Sequence, residues 1–156
     1  MKKIKVMFIC HGNICRSPMA EFLLWDMVKK EGRESEFEIA SSAVSEEEIW
    51  NGVGNPVYPP VKALLNGLGI SCEGKRAQKL TLADGEYYDY LLCMDESNCV
   101  RAKRIVGKNA EKCQKLLAFT GENRDVPDPW YTRDFQATYR DILRGLTALL
   151  KYIDEQ

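Results

Sequence analysis

The stretch CHGNICRSP, residues 10–18, lies between an apolar segment, IKVMFI (4–9), and a segment with a helical pattern, MAEFLLWDMVKK (19–30). The first flank is rich in β-branched residues and predicts a strand over residues 4–10 that is buried on both faces. Ser17 can cap the helix that follows, and Pro18 suits a first turn, where a missing N–H removes no hydrogen bond. The stretch is therefore predicted to join a central strand to a helix.

Strand and helix patterns alternate along the rest of the chain. This alternation is typical of an α/β fold and predicts a doubly wound, four-stranded parallel sheet with helices on both faces. After the first strand and its helix, strands are predicted over residues 37–43, 88–94 and 113–119, and helices over 60–69, 95–107 and 135–153.

Two long segments, residues 44–59 and 120–134, are predicted to be loops, and each follows a strand. Binding sites of open α/β sheets lie beyond the carboxyl ends of the strands. We therefore expect both loops to meet the 10–18 stretch at one edge of the sheet.

The composition excludes several classes of protein. With 156 residues, 45% hydrophobic and 29% charged, the chain is predicted to form one domain, residues 1–156. Its net charge of −1 indicates no nucleic-acid-binding surface. The apolar runs are too short for a secretion signal or a membrane span, so a cytoplasmic protein that binds no membrane is expected.

The cysteine pattern favours reduced thiols over disulfides or zinc. There are six cysteines but no C-x-x-C pair, and His11 is the only histidine. The sequence therefore predicts no metal site and implies no cofactor.

A loop between a buried strand and a helix N-terminus is suited to an oxyanion, because its free backbone N–H groups point at the ligand. Gly12 lets the backbone curl, and Arg16 can hold two oxygens with its planar guanidinium. The same field favours a thiolate at Cys10. Asn13 tolerates a left-handed backbone, and Ser17 can either donate to the sulfur or cap the helix. The stretch thus predicts a phosphate loop with a cysteine nucleophile.

A thiolate that attacks phosphorus needs an acid to protonate the leaving oxygen. His11 follows Cys10 directly, and the alternation of a strand predicts that it points away. Asp128 is the better candidate, since Pro127 and Pro129 stiffen its loop and Trp130 follows.

These motifs resemble the low-molecular-weight protein tyrosine phosphatase family, whose fold is phosphatase I-like. C-H-G-N-I-C-R-S matches the signature C-x5-R-[ST] near the N-terminus. SSA (41–43), CMDESN (93–98) and DPWY (128–131) match in order. The resemblance covers essentially the whole chain.

The resemblance implies a metal-free hydrolysis of phosphotyrosine, in a protein or a small aryl phosphate, with phosphate or vanadate as inhibitors. Cys10 would be the nucleophile that forms a cysteinyl phosphate, Arg16 the phosphate clamp and Asp128 the general acid. The implied loop support is Asn13, Ser17 and Ser42. The implied substrate contacts are His11, Gly12, Asn13, Ile14, Cys15 and Ser17 in the loop, with Trp50, Trp130 and Tyr131 as aromatic walls.

The resemblance also implies that Cys15 protects Cys10, as a Cys10–Cys15 disulfide that forms on oxidation. Two positions depart from the family pattern. Lys75 stands where a histidine is usual, which puts the support of the loop in question, and His11 stands where an aliphatic residue is frequent.

Three other functions are compatible with parts of the pattern. A thiol-dependent arsenate reductase would use Cys93 and Cys99 as further cysteines, but would not need the aromatic DPWY segment. A phosphoarginine phosphatase tends to have threonine where this chain has Ile14. A phosphotyrosine-binding module without activity would have no use for Asp128, whose charge repels an anion.

Overall fold

The computed structural model describes residues 2–156 and confirms the predicted α/β class. Four parallel strands form the main sheet in the order β2-β1-β5-β6, and β3 and β4 form a small hairpin. The strands are β1 (Ile4–Cys10), β2 (Phe37–Ala43), β3 (Ile49–Trp50), β4 (Val53–Gly54), β5 (Tyr90–Cys93) and β6 (Cys113–Lys115). The helices are α1 (Arg16–Lys30), α2 (Pro59–Gly67), α3 (Leu82–Tyr87), α4 (Glu96–Val106), α5 (Pro129–Thr132) and α6 (Phe135–Asp154).

The two faces of β1 enter different apolar clusters, as expected of a strand in a doubly wound sheet. Val6 and Phe8 pack with α1, α2 and α6, whereas Met7 and Ile9 pack with α4. Helices therefore cover both faces, and the central strand is held from either side. No helix among residues 2–156 is long and apolar enough to cross a membrane.

The predicted strand 113–119 is wrong over its second half. The strand ends at Lys115, and Leu116–Thr120 form a 3₁₀ helix. Leu116 and Leu117 are fully buried, and Leu116 packs so closely on α6 that a Cβ at Gly145 would lie 2.6 Å from its Cγ. An apolar run of this length fits a buried strand or a buried turn, so its pattern did not distinguish them.

Three smaller differences concern the start of β5, the helix before it and the two long loops. The strand predicted over 88–94 is shorter and spans Tyr90–Cys93, because α3 ends at Tyr87 and two residues join it to the strand. A reciprocal capping box between Thr81 and Asp84 starts α3, which the periodicity did not predict. The long loops contain the β3–β4 hairpin and the short helix α5.

Candidate active site

A cavity of about 380 Å³ opens at the carboxyl edge of the sheet. Side chains from three segments line it: the loop after β1, the segment that joins β2 to α2, and residues 128–131. The two long loops and the 10–18 stretch therefore meet at this edge, where the alternation of strands and helices predicted them.

The loop after β1 curls around the sulfur of Cys10, which is 3% exposed. The backbone N–H of Asn13 points at Sγ with an N···S distance of 3.3 Å, and Ser17 Oγ lies 3.0 Å from Sγ. Asn13 makes this turn with a φ of 60°. The φ of Gly12 is not positive, and its missing Cβ instead leaves room for Glu48, whose Cγ would lie 3.0 Å away.

Ser17 does not cap α1. The helix begins at Arg16 after Cys15, which makes no side-chain capping bond, and Ser17 is already inside the first turn. The sequence left two roles open for Ser17, capping the helix and contacting the sulfur of Cys10. The structure shows the second contact.

The loop is supported by Ser41, so the prediction of Ser42 misplaced this contact by one residue. Asn13 Nδ2 donates to Ser41 Oγ at 2.9 Å and to Ser17 Oγ at 2.8 Å. Ser42 Oγ instead contacts the thioether of Met7 at 3.2 Å, on the opposite face of the sheet. Successive side chains of a strand point to opposite faces, so a shift of one residue removes the contact entirely.

Arg16 is 3% exposed, and two acceptors fix one nitrogen of its guanidinium. Its Nη1 donates to Asp95 Oδ2 at 2.8 Å and to the carbonyl of Val126 at 2.8 Å. Burial opposes its charge, but Cys10, Asp95 and Asp128 outweigh burial and raise the pKa of the guanidinium. Asp95 was missed as a site residue, although its position directly after a buried strand was a usable signal.

Asp128 lies at the entrance of the cavity and caps the short helix α5. Its Oδ1 accepts the backbone N–H of Trp130 at 3.0 Å, and its Oδ2 lies 3.5 Å from Arg16 Nη2. Pro129 follows at the first helical position. One carboxylate oxygen is thus used to fix the turn, while the other faces the buried guanidinium.

The aromatic walls are Tyr58, Trp130 and Tyr131. Tyr58 packs on Trp130 with ring centroids 5.2 Å apart, and its hydroxyl accepts from Arg133 at 2.9 Å. The structure does not place Trp50 in the wall: it lies outside the cavity lining and is 78% exposed on the β3–β4 hairpin. The sequence analysis thus assigned Trp50 to the wall wrongly and missed Tyr58.

His11 lines the mouth of the cavity instead of pointing away. Arg101 Nη1 lies 3.2 Å from its Nδ1, and Glu47 Oε2 lies 2.9 Å from its Nε2. A guanidinium can only donate, so the contact is a hydrogen bond when Nδ1 carries no hydrogen. His11 is therefore held between the side chains of Arg101 and Glu47.

The remaining cysteines differ in access to the cavity. Cys15 lines it, together with its neighbour Ile14. The pKa of the Cys15 thiol is raised, mainly by burial and to a smaller extent by the negative charges of Cys10 and Asp128. Cys93 and Cys99 are 0% and 4% exposed and do not line it. Among residues 2–156, no group of three or more His, Cys, Asp or Glu side chains is arranged to hold a metal ion.

Comparisons with known proteins point to a single family. The family model described as low molecular weight phosphotyrosine protein phosphatase matches residues 5–156. The low molecular weight protein-tyrosine-phosphatase YfkJ of Bacillus subtilis is 34% identical over 98% of this chain and 97% of its own. PtpA of Staphylococcus aureus is 33% identical over 96% and 94%. The crystal structure of YfkJ superposes with a TM-score of 0.91, over 99% of this chain and 97% of that chain.

Proposed function

Since this chain belongs to the low molecular weight phosphotyrosine protein phosphatase family and is a phosphoric monoester hydrolase, we propose that Cys10 is its nucleophile. Arg16 is the phosphate clamp and Asp128 the general acid. The observation that carries the proposal is that one cavity brings together a buried sulfur with two hydrogen-bond contacts, a buried guanidinium and a carboxylate beside it.

In the first step the sulfur of Cys10 attacks phosphorus, and the bond between phosphorus and the phenolic oxygen breaks. Asp128 gives its proton to that oxygen, so tyrosine leaves as the neutral phenol. The product on the enzyme is a cysteinyl phosphate. In the second step water attacks phosphorus, Asp128 takes a proton from the water, and the sulfur leaves as a thiolate.

The charge that spreads over the phosphoryl oxygens is met by the loop and by Arg16. Because Asp95 and the Val126 carbonyl fix Nη1 from behind, the guanidinium is held in place before substrate binds. Such preorganised donors stabilise developing charge without reorganising during the reaction. The helix α1 adds the partial positive charge of its N-terminus to the same site.

The walls of the cavity favour a flat aromatic substituent. Trp130 and Tyr58 form a packed aromatic pair at one side, and Ile14 adds an apolar surface in the loop. Phosphoserine has no ring to contact these walls and is shorter than phosphotyrosine, so we expect it to be bound and hydrolysed less well. We therefore propose phosphotyrosine in a protein, or a small aryl phosphate, as the substrate. Phosphate and vanadate are expected to compete for the loop.

The test is a panel of phosphorylated substrates assayed with the wild type and with Cys10→Ser. We expect turnover of p-nitrophenyl phosphate and a phosphotyrosine peptide, inhibition by vanadate, and little turnover of phosphoserine or phosphoarginine peptides. Cys10→Ser should remove the activity while still binding phosphotyrosine. Retained turnover in Cys10→Ser would exclude the proposed nucleophile, and faster hydrolysis of phosphoarginine would exclude the proposed substrate.

The same panel includes an assay for arsenate reduction with a thiol reductant, which tests the alternative function of a thiol-dependent arsenate reductase. The alternative would require Cys93 and Cys99 to exchange with Cys10, and both are buried away from the cavity. Arsenate reduction that is lost in Cys99→Ser would favour the reductase over the phosphatase.

A further inference from the structure

Arg133 has a backbone conformation that an arginine seldom adopts. It follows α5 directly, with a φ of 61° and a ψ of 12°, in the left-handed region. Helices that end in this conformation most often have glycine at this position, because a Cβ is disfavoured there. Among residues 2–156, the other positive φ values outside glycine belong to Asn13 and Asn51, and asparagine tolerates this region. Since the backbone opposes an arginine at this position, we looked for a contact that its side chain supplies.

We propose that Arg133 is a positioning residue, which holds two aromatic walls of the cavity, Tyr58 and Trp130, in place for the ring of the substrate. The inference rests on the proposed function, because it concerns how an aryl phosphate is recognised. Arg133 does not line the cavity itself, so it acts through these two rings.

The guanidinium of Arg133 contacts both rings. Its Nη1 donates to the hydroxyl oxygen of Tyr58 at 2.9 Å, and its Cζ lies 5.5 Å from the centroid of the Trp130 ring. The second distance is within the range of a cation–π contact. The two rings also pack on each other, with centroids 5.2 Å apart. One guanidinium therefore fixes the position of each ring relative to the other.

This contact joins the two long loops, because Tyr58 and Trp130 come from different segments. Tyr58 is the N-cap of α2, and its backbone N–H donates to the carbonyl of Ile14, in the loop after β1, at 2.8 Å. Trp130 belongs to α5, which the backbone N–H of Arg133 closes by donating to the carbonyl of Pro129 at 2.9 Å. Arg133 is thus attached to α5 through its backbone and to the segment of Tyr58 through its side chain.

Burial alone does little to hold this part of the wall. α5 has only four residues, and Trp130 is 50% exposed. A side chain that moves freely before binding must be ordered when the substrate enters, and this ordering weakens binding. A contact that orders the rings beforehand removes part of that cost. The expected benefit of Arg133 is therefore tighter binding of a substrate that has an aromatic ring.

The groups proposed for the chemical step are held by other contacts. Asp128 accepts the backbone N–H of Trp130, Cys10 receives the backbone N–H of Asn13, and Arg16 is fixed by Asp95. The side chain of Arg133 takes part in none of these contacts. We therefore expect its loss to act on KM and to leave kcat nearly unchanged, as for an interaction that binds substrate and transition state equally.

The experiment compares Arg133→Gly and Arg133→Met with the wild type. Arg133→Gly removes the side chain and suits the left-handed backbone, whereas Arg133→Met keeps a long side chain but has no donor and no charge. Asn51→Gly is the matched control, since Asn51 is also left-handed, with a φ of 50°, and lies outside the cavity lining in the turn of the β3–β4 hairpin. Thermal unfolding confirms that each variant is folded at the assay temperature.

The first measurement is steady-state kinetics with p-nitrophenyl phosphate and with a phosphotyrosine peptide. We expect both Arg133 variants to raise KM for both substrates roughly threefold to fivefold, and to change kcat by less than about twofold. Inorganic phosphate has no ring, so its inhibition constant should stay at the wild-type value. Asn51→Gly should equal the wild type in KM, kcat and this inhibition constant.

The second measurement combines Arg133→Met with Tyr58→Phe, which removes the acceptor and keeps the ring. Tyr58→Phe alone should raise KM for p-nitrophenyl phosphate. The double variant should be little worse than the weaker of the two single variants, because both substitutions remove the same hydrogen bond.

Four results would overturn the inference. Unchanged KM values in both Arg133 variants would show that the contact has no effect on the substrate. An equal rise in the inhibition constant of phosphate would place the effect on the loop after β1. A rise for the peptide alone would mean that Arg133 contacts the residues around the phosphotyrosine, and additive losses with Tyr58→Phe would separate the two residues. A wild type that does not hydrolyse p-nitrophenyl phosphate, or activity in Cys10→Ser, would instead contradict the proposed function itself.

Discussion

Asp128 Oδ2 lies 3.5 Å from Arg16 Nη2, so the proposed acid and the proposed phosphate clamp are neighbours in the cavity that Cys10 also lines. The two residues are 112 positions apart in sequence. Arg16 is fixed from behind by Asp95, and Asp128 is fixed by the turn that it caps. Their closeness follows from the meeting of two loops at one edge of the sheet.

Replacing Asp128 should reduce catalysis with little effect on binding. We expect Asp128→Asn to lower kcat for phosphotyrosine on the order of 10²-fold to 10⁴-fold, because the leaving phenolate is then not protonated. The loss should be smaller for p-nitrophenyl phosphate, whose leaving group is more acidic. Asp125→Asn, in the same loop but paired with Lys115, is the control and should stay near wild type. Equal losses in both variants would contradict the assignment.

Ser41 and Ser42 provide a matched pair that tests the support of the loop. Ser41→Ala removes the acceptor of Asn13 Nδ2, and we expect kcat to fall about fivefold. Ser42→Ala removes only a contact with Met7, and kcat should change by less than about twofold. A larger effect of Ser42→Ala would restore the assignment suggested by the sequence.

Tyr58 and Trp50 test which aromatic residue forms the wall. We expect Tyr58→Ala to raise KM for a phosphotyrosine peptide about threefold to tenfold, because the ring and its packing on Trp130 are lost. Trp50→Ala should change KM by less than about twofold, since Trp50 is 78% exposed outside the cavity. The opposite order would show that the hairpin contacts substrate.

Mild peroxide tests the proposed role of Cys15. Peroxide oxidises the Cys10 thiolate to a sulfenic acid, the Cys15 sulfur then attacks it, and water leaves as the disulfide forms. We expect the intact mass of this disulfide in the wild type and recovery of activity with dithiothreitol. Cys15→Ser should pass to higher oxides and not recover. A wild type without the crosslink would count against the protective role.

Acid should loosen the attachment of the loop before Asp128 to α6. Arg124 donates to both oxygens of Asp141, and Glu122 pairs with Arg144 and Arg124. Hydrogen bonds from Arg144 and Arg124 lower the pKa of Glu122 from its ordinary 4.5. A carboxyl group whose pKa is lower in the folded state stabilises the fold at any pH above its ordinary, unfolded-state pKa. This stabilisation is lost as the pH falls through the lowered pKa of the folded state.

We therefore expect the Tm of the wild type to exceed that of Glu122→Gln at neutral pH and the difference to vanish in acid. High salt should reduce the difference at neutral pH, because these groups are exposed. A difference independent of pH would mean that Glu122 acts through packing and not through its charge.

Much of the fold could be predicted because local patterns of apolar and polar residues determine most of the strands and helices. The strands 4–10 and 37–43 were predicted to the residue. A buried apolar run marks the first of them. Residues 116–119 could not be assigned from the run CQKLLAF. Their conformation depends on the contact of Leu116 with α6, about thirty residues later in the chain.

By itself the sequence determined the loop between β1 and α1, because Cys10, Asn13, Arg16 and Ser17 are close in sequence at the junction of a strand and a helix, where local backbone geometry brings them together. The tertiary structure decided what surrounds that loop. Whether Ser41 or Ser42 faces Asn13 depends on which face of β2 meets α1, and Ser41 lies level with Phe8 of β1. Asp95 and Tyr58 come from separate segments of the chain, and only the packing of those segments against the sheet sets their distances from the loop.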